Sequence, residues 1–154
     1  MSISVERAVI ADLEPLLLLM RRMQADDPWD ETFNEPIVKK NLSELFHNPA
    51  FGLVLIARDG QALVAYLAIC FDFSLEYHGK GAWVDELFVA PEYRGQGIAT
   101  LLLELAEHAS FEAGAQTLHL EVSHGNPAIE LYRRRGFVDH HRYLMTKWLN
   151  RNSQ

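Results

Sequence analysis

At 154 residues, with 49% hydrophobic and 23% charged side chains, the chain can bury about two thirds of its unfolded surface around one core and needs no second domain. A net charge of −7 and a pI near 5.4 disfavour a nucleic-acid binder, which needs a basic face, and suit a cationic ligand better. Cys70 is the only cysteine, so an intrachain disulfide is excluded, and its place in the apolar run 62–71 reads as a buried structural thiol.

The opening residues lack the basic and long apolar regions of a signal peptide, and 16–20 is too short to span a bilayer, so a cytoplasmic protein without a membrane partner is expected. Ile3, Val5, Val9 and Ile10 suggest a first strand. Asp12 is placed to cap a helix running to about Met23, with Leu13, Leu16, Leu17 and Met20 on one face and Pro15 tolerated in its first turn. Asp26, Asp27, Asp30 and Glu31 fall in a loop, and 36–47 reads as a second helix with Ile37, Leu42, Leu45 and Phe46 as its apolar side. Runs 51–57 and 62–73 are nearly continuous apolar strands, and Asp59-Gly60 between them is a hairpin signal.

From Trp83 the order becomes strand 83–90, helix 97–113 and strand 117–122, which implies a right-handed crossover and a parallel pair. A helix over 127–135 and a closing stretch 137–149, read as two strands, complete a mixed α/β sheet. The expected organisation is one domain over 1–150 with a short tail, 151–154.

The strand-to-helix turn at 90–100 carries the most chemistry. Gly95 and Gly97 remove Cβ atoms where backbone must approach a ligand, Arg94 adds a cation, and the helix that follows offers unpaired amides at its start. Together they form an anion site suited to a phosphate-bearing cofactor. A dinucleotide fingerprint is the rival reading, but the third glycine is missing and the turn follows a long hairpin. A merely structural turn is the other.

The run Arg94-Gly95-Gln96-Gly97-Ile98-Ala99 resembles the pyrophosphate loop of the GCN5-related N-acetyltransferases, and Asn126-Pro-Ala-Ile-Glu-Leu-Tyr132-Arg-Arg-Arg-Gly136-Phe137 is similar to that family's second block, one residue shorter between Asn126 and Tyr132. The resemblance implies a mixed sheet of six or seven strands with helices on both faces, splayed between its fourth and fifth strands. It implies acetyl-coenzyme A as co-substrate, held by Arg94 through Thr100, by the backbone of Leu87, Phe88 and Val89, and by Asn126. It also assigns Tyr132 as the group beside the departing thiolate.

Transfer needs a free amine, and an alkyl ammonium with a pKa of about 10.4 is protonated at neutral pH, so a base is required. Asp85 and Glu86 are the candidates. Adjacent strand residues face opposite sides, so one of the two is expected to face the acceptor; an acidic residue stands at the position of Asp85 in diamine acetyltransferases, which the run 71–89 resembles. Arg133 to Arg135 read as a solvated helix face, with contact to cofactor phosphate as the rival, and the acidic loop 26–31 as exposed or as a cation-attracting rim. His140 and His141 point apart in a strand, so no metal site is expected.

The expected function is acetyl-coenzyme A-dependent transfer to a small cationic primary amine by direct attack, with a homodimer as the assembly considered. The alternatives are a non-catalytic acyl-coenzyme A sensor, a partner-binding module, or an acetyltransferase of protein or peptide amines.

Overall fold

A computed structural model describes residues 2–26 and 33–149. They form two compact units, the first ending at Glu121 and the second beginning at Val122.

The first unit is a five-stranded sheet in the order β1-β2-β3-β4-β5, made of β1 (Ile3–Arg7), β2 (Gly52–Asp59), β3 (Ala62–Ser74), β4 (Gly79–Val89) and β5 (Thr117–Leu120). Four strands run antiparallel and β5 is parallel to β4. The count is below the six or seven implied by the resemblance, because 137–149 contains no strand. Strand propensity there meets no ladder partner among the described residues, and Tyr143, Met145 and Leu149 stay exposed. The first strand also stops early: Ile10 begins a short 3-10 turn, and Val9 and Ile10 face solvent.

Alternation along the strands separates two apolar layers. Val54, Ile56, Tyr66, Ala68 and Phe88 pack with Leu16, Leu17 and Met20 of α1 (Leu13–Asp26) and Leu42 of α2 (Glu35–His47). Leu53, Leu55, Leu67 and Ile69 turn to the other side, where α3 (Ile98–Glu112) lies against β2, β3 and β4 through Ile98, Leu102, Leu103 and Ala106. Helices therefore cover both faces, as expected. Asp12 is buried and accepts from the Val9 amide at 2.9 Å and from Arg58, so it braces the turn before α1 and ties it to β2.

One glycine in the sheet is there for space. A Cβ on Gly52 would lie 1.8 Å from the Ile69 carbonyl oxygen across the ladder, at a φ of +154° that side chains rarely adopt. Gly52→Ala is expected to lower stability by about 3 kcal/mol, the upper end of overpacking costs, because the obstacle is backbone. Urea denaturation checks this, and a midpoint equal to that of the parent chain would refute it.

The second unit contains α4 (Ile129–Arg134), preceded by a turn in which the Asn126 side-chain oxygen accepts from the Ala128 amide at 2.9 Å. Arg133 pairs with Glu130 at 2.7 Å on an exposed face.

Candidate active site

β4 and β5 are paired only from Gly81–Thr117 to Val84–Leu120; beyond that point β4 continues to Val89 on β3 alone. The break coincides with a bulge. Val84 lies opposite Ile69 and Glu86 opposite Ala68, so Asp85 is an extra residue in β4. A bulge interrupts the ladder and sharpens the local twist, which is the physical reason the parallel pair ends there. The splay expected between these strands is thus present, with the β5-side edge of Leu87, Phe88 and Val89 outside any ladder of the described residues. The side chains of Phe88 and Val89 are buried, and that of Leu87 is half-buried.

The bulge also corrects the expectation that Asp85 and Glu86 face opposite sides. Glu86 accepts from the Tyr66 hydroxyl at 2.8 Å, and the Cys70 thiol stands near enough to Asp85 to favour its ionised form. Tyr66, Ala68 and Cys70 alternate onto one face of β3, so both carboxylates stand on that face. Burial holds both above the ordinary carboxylate range, and Asp85 raises Glu86 further by repulsion. Each is partly relieved by its hydrogen-bond donor. Glu121, just past β5, is raised by burial and by the charge of Asp85. The Cys70 thiol is pushed up to about 11, mainly by burial, which keeps it protonated and unreactive at neutral pH.

Next to this acidic group lies an aromatic row. Trp83, opposite Cys70 on one side and His119 on the other, stacks on His119 with centroids 4.8 Å apart, and Tyr77 meets the same imidazole edge-on at 4.6 Å. Trp83 Nε1 donates to Asp72 at 3.0 Å and fixes the indole. Neither this row nor Glu121 nor Tyr66 stands out in the sequence. The bulge that gathers them leaves no compositional mark, and each reads as an ordinary strand residue.

The loop after β4 has the geometry that its glycines predict. Gly95 has φ +73° and Gly97 φ +81°, and at both positions an added Cβ would meet nothing within 4 Å. Leu101 donates to the Gly97 carbonyl, while no backbone carbonyl among the described residues receives the amides of Gly97, Ile98, Ala99 or Thr100. Such a set of donors at the positive end of a 15-residue helix has the geometry that suits an anion. Arg94 serves the loop itself: its Nε donates to the Val89 carbonyl at 3.0 Å and its guanidinium pairs with Asp26. Gln96 likewise returns to the Glu92 carbonyl at 3.3 Å. Of the acidic loop, Asp26 is thus engaged by Arg94, whereas Asp27, Asp30 and Glu31 lie outside the described residues, as does the tail 151–154.

Two cavities, of about 430 and 470 Å³, are lined by residues such as Leu53, Leu55, Phe71 and Ala109, and Val9, Ile10, Leu45 and Phe46. They take no residue from the carboxylate face, so size does not mark the chemistry here. In the second unit Tyr132 packs edge-on against Phe137 at 5.9 Å, and burial raises its hydroxyl above the ordinary tyrosine range.

A fourth strand parting from the fifth, followed by a glycine-turned loop at a helix start, is the arrangement that the resemblance implies, and the bulge at Asp85 is an addition to it. The model of the acetyltransferase (GNAT) family matches residues 17–137, a span that runs through both units. The chain belongs to the GNAT acetyltransferase family.

Among curated relatives of this GNAT chain, the thialysine N-epsilon-acetyltransferase of Bos taurus is 31% identical over 81 residues, covering 52% of this chain and 47% of the relative. The streptothricin acetyltransferase of Streptomyces lavendulae is 46% identical over 56 residues, or 36% of this chain and 30% of that protein. The chain therefore spans about half or less of the length of these relatives. A predicted acetyltransferase from Clostridium acetobutylicum, solved with acetyl-CoA, superposes with a TM-score of 0.81 at 20% identity over 99% of this chain and all of that one, which shows the shared fold. No helix among the described residues is long and apolar enough to cross a membrane.

Proposed function

We propose that this protein transfers the acetyl group of acetyl-coenzyme A to the primary amine of a small cationic acceptor. The observation that carries this reading is the pairing of an anion cradle at Gly97–Thr100 with an acidic, aromatic face at the neighbouring strand split. The unpaired amides of the cradle suit a pyrophosphate, and the freed edge of Leu87–Val89 suits an amide-bearing arm and a donor to the thioester oxygen. Such a donor stabilises the charge that grows on this oxygen as the amine attacks. Asn126 remains a candidate contact through its side-chain nitrogen, its oxygen being engaged by Ala128.

Asp85, Glu86 and Glu121 suit an ammonium, and a carboxylate of the adjacent pair is the base that frees the amine. The aromatic row of Tyr77, Trp83 and His119 suits the carbon body of a cationic acceptor. Tyr132 is the proton donor to the departing thiolate, a role supported by the family block in which it stands and by a hydroxyl that burial keeps protonated. The relatives named for thialysine and streptothricin support an amine acceptor. We take the reaction to be cytoplasmic and leave a homodimer as the assembly to be measured.

The test is free-thiol release from acetyl-coenzyme A across polyamines, aminoglycosides, lysine analogues and peptides. Release above hydrolysis with small cationic amines is expected. Binding of acetyl-coenzyme A without release by any amine would overturn the transferase reading in favour of a sensor, and release confined to peptides would move the acceptor to protein amines.

A further inference from the structure

We propose that Tyr66 is a positioning residue for the transfer, holding Glu86 so that Glu86, of the two adjacent carboxylates, takes the proton from the acceptor amine. The proposal rests on the transferase reading above and goes beyond it in assigning the base and the group that sets it.

Tyr66 is fully buried in β3, between Met23 of α1 and Phe88 of β4, and its ring cannot leave without opening the core. Its hydroxyl lies 2.8 Å from Glu86 Oε2 and 3.1 Å from the Met23 sulfur. The carboxylate is the stronger acceptor, so the single proton goes to Glu86 and fixes Oε2. Among the described residues Oε1 has no other hydrogen-bond partner, and it is the oxygen left for a proton. Asp85 is held less firmly: it is the extra residue of the bulge, and the group beside it is the Cys70 thiol, a weaker donor than a phenol. A buried phenol on the structural side of a carboxylate, with the other oxygen unclaimed, is how a base is locked into one orientation.

The step balances within the groups named. One proton passes from the acceptor ammonium to Glu86 Oε1, the nitrogen lone pair forms the C–N bond as the C–S bond breaks, and the second nitrogen proton replaces that of the donor that protonates the thiolate. The titratable groups facing Glu86 are Tyr66 and Cys70 from β3 and Asp85 beside it, with Glu121 of the β5 end acting on Asp85; α1 presents the neutral Met23. Tyr66 stabilises the ionised form of Glu86, so its removal should raise the pH at which Glu86 loses its proton.

The test compares the parent chain, Tyr66→Phe, Glu86→Gln, Asp85→Asn and the Tyr66→Phe/Glu86→Gln double variant. The readouts are kcat/KM against pH, with the fastest amine of the panel, and carbon-13 NMR titration of labelled glutamate carboxyls, with the Glu86 signal identified by its loss in Glu86→Gln. In Tyr66→Phe, the Glu86 titration and the acid limb of the rate profile should both move up by about one pH unit, the effect of losing one hydrogen bond to a charge. Glu86→Gln should lose more rate than Asp85→Asn, and Tyr66→Phe should add no profile shift in the double variant. An unmoved Glu86 titration in folded Tyr66→Phe overturns the positioning role. A moved titration with an unmoved rate profile, or a larger loss in Asp85→Asn, assigns the base to Asp85 and overturns the proposal. Absence of turnover in the parent chain refutes the transferase reading instead, while the NMR titration still decides whether Tyr66 sets Glu86.

Discussion

Gly97→Asp is expected to weaken acetyl-coenzyme A binding by at least about 100-fold, or ~2.7 kcal/mol, while the fold survives. The residue stands at φ +81° and ψ 1°, immediately before α3, and a Cβ there meets no protein atom within 4 Å. Packing therefore does not oppose the substitution, and aspartate visits left-handed backbone more readily than most residues. What changes is charge: a carboxylate would enter the set of amides at Gly97–Thr100, which has no backbone partner among the described residues, and would both occupy and repel a bound anion. Gly97→Ala is the control, carrying the backbone cost without the charge, and should lose much less affinity. Titration calorimetry with acetyl-coenzyme A, alongside circular dichroism, reads both quantities; near-native affinity in folded Gly97→Asp would remove the loop assignment.

Tyr132→Phe should leave cofactor affinity unchanged and lower kcat by roughly 10²-fold, the lower range for loss of a general acid. The ring is retained, so its edge-on contact with Phe137 at 5.9 Å persists and only the hydroxyl is lost. Because burial raises that hydroxyl above the usual tyrosine range, it holds its proton throughout the neutral region and can donate it. Pre-steady-state measurement isolates the chemical step from product release. An unchanged chemical step in Tyr132→Phe would return this side chain to packing alone and leave solvent to protonate the thiolate.

Much of the fold is legible in the chain because local pattern and tertiary need agree. The four-residue spacing of Ile98, Leu102 and Ala106 matches a helix on a sheet, and Asp59-Gly60 between apolar runs matches a hairpin, and both form as read. Residues 137–149 have the composition of strands, yet a strand exists only through a neighbour's hydrogen bonds, which composition does not record. Val9 and Ile10 read as strand for the same reason, whereas Asp12 draws the Val9 amide into a turn.

The candidate site divides along the same line. By itself the sequence determined the conformation of the loop, because Gly95, Gly97 and the helix behind them act through backbone geometry, which is local and carried by residue type. It also determined that two adjacent carboxylates, Asp85 and Glu86, come just before the segment 87–89. Only the tertiary structure decided that both share one face, through the extra residue opposite Ala68 and Ile69, since side-chain direction in a strand depends on register against a partner. The partners of those carboxylates, Tyr66 and Cys70, were likewise decided by the β3–β4 register. So was the row of Trp83 and His119, which parallel pairing brings together from distant segments. Burial then raises Asp85, Glu86 and Cys70, and burial belongs to the assembled core.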